Sequence, residues 1–240
     1  MLRVQSLWRY PVKSLRGETC EAVTLEERGV VGDRLFAIRD SDGKFGSGNS
    51  TRRFRRIDRL FELGSEYEDD VPVVRFPDGG TMRGDDPNIH KALPGFLGQT
   101  VTLAREEAIP HFDAGPIHII TTSALAWLQD RLPDRQIDPR RFRPNIVIDD
   151  VRDPTPDDEW LGQAVAIGAA RLRILERTER CVMVTSAQAE LEQAPDVLRT
   201  ITQEADLLFG LYAEVVVPGE IKRGDLAALC DDWRGFSSIL

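Results

Sequence analysis

The chain has 240 residues, of which 41% are hydrophobic and 30% charged, and a net charge of −9. That composition suits a globular core, in one large β domain or two smaller ones, and excludes a disordered chain. The acidic balance disfavours a general nucleic-acid binder and simple adsorption to an anionic membrane, while three scattered cysteines (Cys20, Cys181, Cys230) exclude a disulfide scaffold and favour a reducing cytoplasm.

The first hundred residues read as mostly β. Val4 to Tyr10 alternates as a strand. Leu35–Ile38 and Lys44-Phe45 flank the turn Asp40-Ser-Asp-Gly43, and Val73–Phe76 and Thr81-Met82 flank Asp78-Gly-Gly80, which predicts two hairpins. Asp85–Asn88 can open a short helix, and Val101–Leu103 reads as a closing strand. Between Ala108 and Pro116 the pattern loosens, so a boundary is expected there, with modules at 1–108 and 109–240.

The second half opens with the apolar run Ile117–Ile120. Thr122 and Ser123 then offer a cap to a helix carrying Leu125, Leu128 and Leu132. Strands are expected at Asn145–Ile148, Ala164–Ile167, Leu172–Leu175, Tyr212–Val217 and Leu226–Leu229. A helix is expected from Pro195 to Leu208, with Leu198, Ile201, Ala205 and Leu208 on one face. Many short strands and few helices predict a mainly β, barrel-type fold of the α+β kind. No apolar run approaches the roughly 20 residues of a membrane span, and the N-terminus lacks the pattern of a signal peptide.

Cys181 stands beside Arg180 in Arg177-Thr-Glu-Arg-Cys-Val-Met-Val-Thr185. Nearby cations favour a thiolate, the form that attacks electrophiles or binds a soft metal; the competing expectation is an inert cysteine packed inside a strand. Lys13 and Ser14 pair a point charge with a hydroxyl, as a phosphate site requires, or form an exposed strand end. Arg34, steadied by Asp33, suits bidentate contact with phosphate or a fused-ring edge. The run Ser50–Arg59 holds five arginines and one acid, marking an anion-facing patch, a solvated face or a nucleic-acid stripe. Alternation through Arg141-Phe-Arg143 puts both arginines on one face, and Asn145 offers the donors and acceptors an amide-rich ring needs. His90, His111 and His118 make no zinc spacing with the cysteines. The acidic run Asp149–Glu159 lacks an EF-hand pattern and reads as a solvated loop. There is no Walker or Rossmann glycine loop.

The ordered motifs YPVKS, GDR, TRR, RFRPNIVI, RCVMVT and FGLYAEVVVPGEIKRGDL resemble the MOSC family, named for the C-terminal domain of molybdenum cofactor sulfurase. The resemblance runs over roughly residues 2 to 230. It is closest to the two-part members with an N-terminal β-barrel module, the amidoxime-reducing components among them. It implies two β-rich modules, the second a MOSC barrel, with a molybdopterin between them. On that resemblance Cys181 is the molybdenum ligand. Lys13, Ser14, Arg34, Thr51, Arg52, Arg53, Arg143 and Asn145 fall on cofactor-binding motifs, Arg180 beside the ligand is a further cofactor-binding residue, and Ser123 and Thr185 line the pocket. The implied protein is an oxidoreductase that removes oxygen from N-hydroxylated or N-oxide substrates. Its electrons come from a separate redox protein, because no four-cysteine ferredoxin-like extension is present, and no membrane anchor or nucleic-acid partner is expected. The alternative is a sulfur carrier or cofactor-handling protein with a persulfide on Cys181. Pyridoxal phosphate belongs to the sulfurase's other domain, and no lysine here sits in a recognisable Schiff-base setting.

Overall fold

The structure, a computed structural model, describes residues 1–151 and 160–230. Seven strands close into a barrel. In chain order they are Leu2–Arg9, Ile117–Thr121, Ile146–Asp149, Ala164–Ile167, Ala170–Glu179, Leu208–Val217 and Leu226–Cys230. Closure depends on the first strand, which pairs antiparallel with both Ile146–Asp149 and Leu226–Cys230. Among the seven barrel strands only Ile117–Thr121 and Ile146–Asp149 pair in parallel, and the helix Thr122–Arg131 lies between them in sequence as the crossover. That crossover helix is preceded in the chain by another, Ile89–Leu97, and followed by Pro195–Glu204.

The barrel interior is filled by branched aliphatic side chains from alternate positions, including Val4, Leu7, Ile119, Ile146, Ile148, Val165, Leu172 and Leu211. Every residue of Ile117–Thr121 is buried, because helices cover the barrel's outer face there. A second core lies under the N-terminal sheet. In that sheet Val101–Arg105, Phe36–Asp40, Phe45–Ser47 and Phe54–Arg56 line up in order, and Val12–Lys13 joins parallel to Phe36–Asp40. The hairpin Val71–Arg75/Thr81–Arg83 forms as its Asp-Gly-Gly turn predicts. A third core joins the helices Thr122–Arg131 and Pro195–Glu204 to Phe142, Val184 and Phe209. The mainly β expectation holds.

Local boundaries differ from the sequence pattern in instructive ways. The cap of Thr122–Arg131 is Thr121, whose hydroxyl accepts from the Ala124 N–H at 3.1 Å, rather than Thr122 or Ser123. The last helix stops at Glu204, four residues short of the expected end. Its carbonyl at Ile201 accepts from both Ala205 and Leu207 N–H while Asp206 and Leu207 adopt φ of 50° and 69°. This is a Schellman-type stop built without glycine, so no glycine marks it in the sequence. Leu208 then starts a ten-residue strand. Most of the acidic run, residues 152–159, lies outside the described residues.

Candidate functional site

A cavity of about 520 Å³ opens where the barrel meets the N-terminal sheet. Its walls carry seven cationic side chains (Lys13, Arg34, Arg53, Arg141, Arg143, Arg177, Arg180) against three carboxylates (Asp113, Glu176, Glu179). In a chain of net charge −9 this local reversal makes an anion-attracting pocket.

The backbone explains how side chains from distant motifs reach one place. Ser14, Arg34 and Arg143 all hold left-handed conformations, with φ of 65°, 50° and 56°. Each such residue other than glycine costs about 1–2 kcal/mol, a strain that collects at ligand-binding sites. Arg34 is fixed by its N–H donating to Tyr10 O at 2.7 Å, and Arg143 by its N–H donating to Arg140 O at 3.2 Å. Glycine allows the two halves to close: a Cβ on Gly48 would sit 2.5 Å from Met183 Sδ, just past Cys181.

Lys13 is 5% exposed and its Nζ lies 2.6 Å from Asp113 Oδ1. Burial pushes the lysine pKa down, and Asp113 opposes that fall. The Asp113 carboxyl is raised by burial but held below its ordinary range by Lys13. Ser14 lines the cavity and donates to Gly46 O at 2.8 Å. Arg34 pairs with Asp33, reaches Asn145 Oδ1 at 3.4 Å and donates to Arg143 O at 3.1 Å. Burial works against the Arg34 charge, but Asp33 and Tyr10 outweigh it and keep its pKa raised.

Arg143 is the electrostatically incomplete member. Its guanidinium stacks 4.2 Å from the Tyr10 ring, and Nη1 donates to Leu15 O. Nη2 is buried with no hydrogen-bond partner. Burial, then repulsion from Arg34, pushes its pKa down to about 10. An anionic guest bearing acceptor oxygens relieves both conditions.

Cys181 is exposed on the cavity wall, at the start of the 3-10 turn Val182–Thr185. The competing expectation of a cysteine sealed inside a strand is corrected: Ala170–Glu179 ends before it. The expected cation effect is present but outweighed. Burial by the cleft walls pushes the thiol pKa up, and the Met183 backbone N–H, then Arg180 and Lys13, only partly oppose it. Arg180 donates to Phe209 O at 2.6 Å and Phe142 O at 3.1 Å. Metal coordination displaces a thiol proton regardless of such a rise.

Other placements differ from expectation. Arg141 and Arg143 do not alternate along a strand: Pro139–Phe142 is a 3-10 turn, and Arg141 donates to Ser186 O and Glu192 O instead. Thr51 lines the cavity, its hydroxyl accepting from the N–H groups of Arg53 and Phe54. Arg53 clamps the 106–116 segment through the carbonyls of Pro110, Phe112 and Asp113. Arg52 is exposed, while Ser123 and Thr185 are buried, and none of the three lines the cavity. Thr185 instead donates to Val182 O and steadies the turn after Cys181. The rest of the arginine run is locally neutralised, Arg55 by Asp40 and Asp42, Arg56 by Asp58 and Arg59 by Glu62. Asp113, Tyr212 and His118 also line the cavity, beyond the residues that the sequence motifs point to. The one sequence signal was His118's place in an otherwise apolar strand.

Two buried histidines set an acid limit. Burial, then Arg39, lowers His111 to about 4, and burial, then Arg180, lowers His118 well below its ordinary value. The folded state therefore binds fewer protons than the unfolded chain below the unfolded pKa of about 6.5, so stability falls as pH drops through that window. From near pH 7 to near pH 5, His111 alone should cost about 2 kcal/mol. Urea unfolding at the two pH values checks this, and His111→Gln should shrink the difference.

The family model described as MOSC domain matches residues 106–227, and that described as MOSC N-terminal beta barrel domain matches residues 1–112. Mitochondrial amidoxime-reducing component 1 of Homo sapiens is 30% identical over 278 residues, covering 92% of this chain and 81% of the human protein. The molybdenum cofactor sulfurase of Anopheles gambiae is 29% identical over 106 residues, 39% of this chain and 13% of the sulfurase. The solved YUAD protein from Bacillus subtilis shares the fold, with a TM-score of 0.54 at 13% identity over 95% of this chain and 96% of that one.

Proposed function

This chain belongs to the MOSC-domain family in its two-part form, and from that premise we propose that it is a molybdenum-cofactor oxidoreductase acting on N-hydroxylated or N-oxide compounds. The observation that carries the reading is an exposed thiol, Cys181, on the wall of a cation-rich cavity in an acidic protein. The unpartnered Nη2 of Arg143 supports the fit of a multiply anionic cofactor.

In this reading Cys181 Sγ ligates molybdenum, a soft-thiolate match once the metal is held by dithiolene sulfur. Lys13, Arg34, Arg53 and Arg143 neutralise the phosphate and pterin edges, and Ser14, Thr51 and Asn145 supply polar contacts around them. Arg52, Ser123 and Thr185 take no direct part. When bound, the cofactor supplies the two-electron oxygen-removal chemistry, and the protein supplies position, charge and exclusion of water. Electrons come from a separate redox protein. The modules are 1–108 and 109–240, with the first barrel strand lent by the former. Three unpaired cysteines fit a reducing cytoplasm. Among the described residues no helix is long and apolar enough to cross a membrane.

Produced in a host that makes the cofactor, the protein should retain molybdenum and pterin in equal, stoichiometric amounts. With a reduced viologen it should then convert benzamidoxime to benzamidine. Metal and pterin contents near zero would overturn the reading.

A further inference from the structure

His118 points from the fully buried strand Ile117–Thr121 toward the segment that carries Cys181. Its Nε2 contacts Nη2 of Arg180, the residue immediately before the cysteine. The same guanidinium donates to Phe209 O and Phe142 O, and the Arg180 N–H donates to Leu207 O at 2.8 Å. Both side chains are buried. Because a guanidinium only donates, His118 must accept at Nε2 as a neutral imidazole.

The surroundings are shaped for that contact. Gly210 has φ +82°, and a Cβ there would fall 2.6 Å from His118 Nε2 and 2.9 Å from Arg180 Nη2. The backbone is thus held in a left-handed conformation where only glycine leaves room for the pair. On its other side His118 is tied to the cavity wall: its N–H donates to Asn145 Oδ1 at 3.1 Å, and its carbonyl accepts from Asn145 N–H at 2.7 Å. Asn145 Oδ1 also accepts from Arg34.

We propose that His118 is a positioning residue: its neutral imidazole latches Arg180 and so fixes the Cys181 turn against the cavity wall. The consequence for molybdenum rests on the function proposed above. The latch itself concerns only this chain's atoms. A merely space-filling role would be served by leucine, whereas a latch needs an acceptor. Glutamine supplies one, at Oε1.

The experiment compares wild type, His118→Leu and His118→Gln, all purified without cofactor, by the rate at which iodoacetamide alkylates Cys181. A Cys20→Ser, Cys230→Ser background isolates that thiol. His118→Leu should change the Cys181 rate several-fold, with thermal unfolding still cooperative, and His118→Gln should restore a rate close to wild type. Heteronuclear NMR of the wild type should show His118 unprotonated at Nε2. Equal rates in all three proteins, or a proton on Nε2, overturns the latch. Glutamine behaving like leucine also overturns it. Cofactor-loaded samples then read the dependence on function. Loss of molybdenum in His118→Leu with retention in His118→Gln extends the latch to the metal site. A wild type that never binds molybdenum refutes the proposed function while leaving the thiol result intact.

Discussion

Cys181→Ala is expected to abolish molybdenum retention and to lower benzamidoxime turnover by more than about 100-fold, because removing even an outer partner of a metal ligand costs about 10–100-fold. The fold should survive. Cys181 is exposed, begins a short 3-10 turn rather than filling a core, and its neighbours Val184 and Thr185 keep their own contacts. Surface substitutions of that kind usually shift stability by no more than about 0.5 kcal/mol. Metal content by mass spectrometry, turnover with a viologen reductant and thermal unfolding together separate a lost ligand from a lost structure. Unchanged metal content in the alanine variant would sink the assignment. A sulfur adduct on wild-type Cys181 without pterin would instead favour the persulfide carrier.

Arg143 and Arg34 reach the cavity through left-handed backbone at non-glycine positions, which residue propensities disfavour and sequence alone does not announce. The cationic character of the site was nevertheless legible, since an acidic chain that concentrates arginine in a few motifs must place that charge somewhere useful or neutralise it. Both happen here. Arg34, Arg53 and Arg143 line the cavity, whereas Arg55, Arg56 and Arg59 pair with nearby carboxylates. No local pattern distinguishes the two fates. The lysine at position 13 was legible, but its partner Asp113 was not, because that contact spans 100 residues of sequence. Strand positions followed from turn chemistry and alternation. Helix ends did not, because Thr121 caps from the preceding strand and the Pro195–Glu204 helix stops on Asp206 and Leu207.

The barrel's dependence on its first strand leads to the other large effect. A fragment of residues 109–240 is expected not to fold as a monomer, although it contains six of the seven barrel strands. Without Leu2–Arg9, the strands Ile146–Asp149 and Leu226–Cys230 become open edges with unpaired backbone groups. The same cut removes Val4, Leu7, Val23, Leu25 and Val30 from the barrel core. At about 1.5–3 kcal/mol for each buried aliphatic side chain, that loss is comparable to the roughly 5–15 kcal/mol stabilising a typical domain. In the intact chain, Leu7→Ala alone should cost about 2–5 kcal/mol, since Leu7 is fully buried against that core. Circular dichroism and urea unfolding of the fragment should show no cooperative transition, and co-expression with residues 1–108 should restore one. A fragment that unfolds cooperatively by itself would show that six strands suffice and that the N-terminal strand only decorates the barrel.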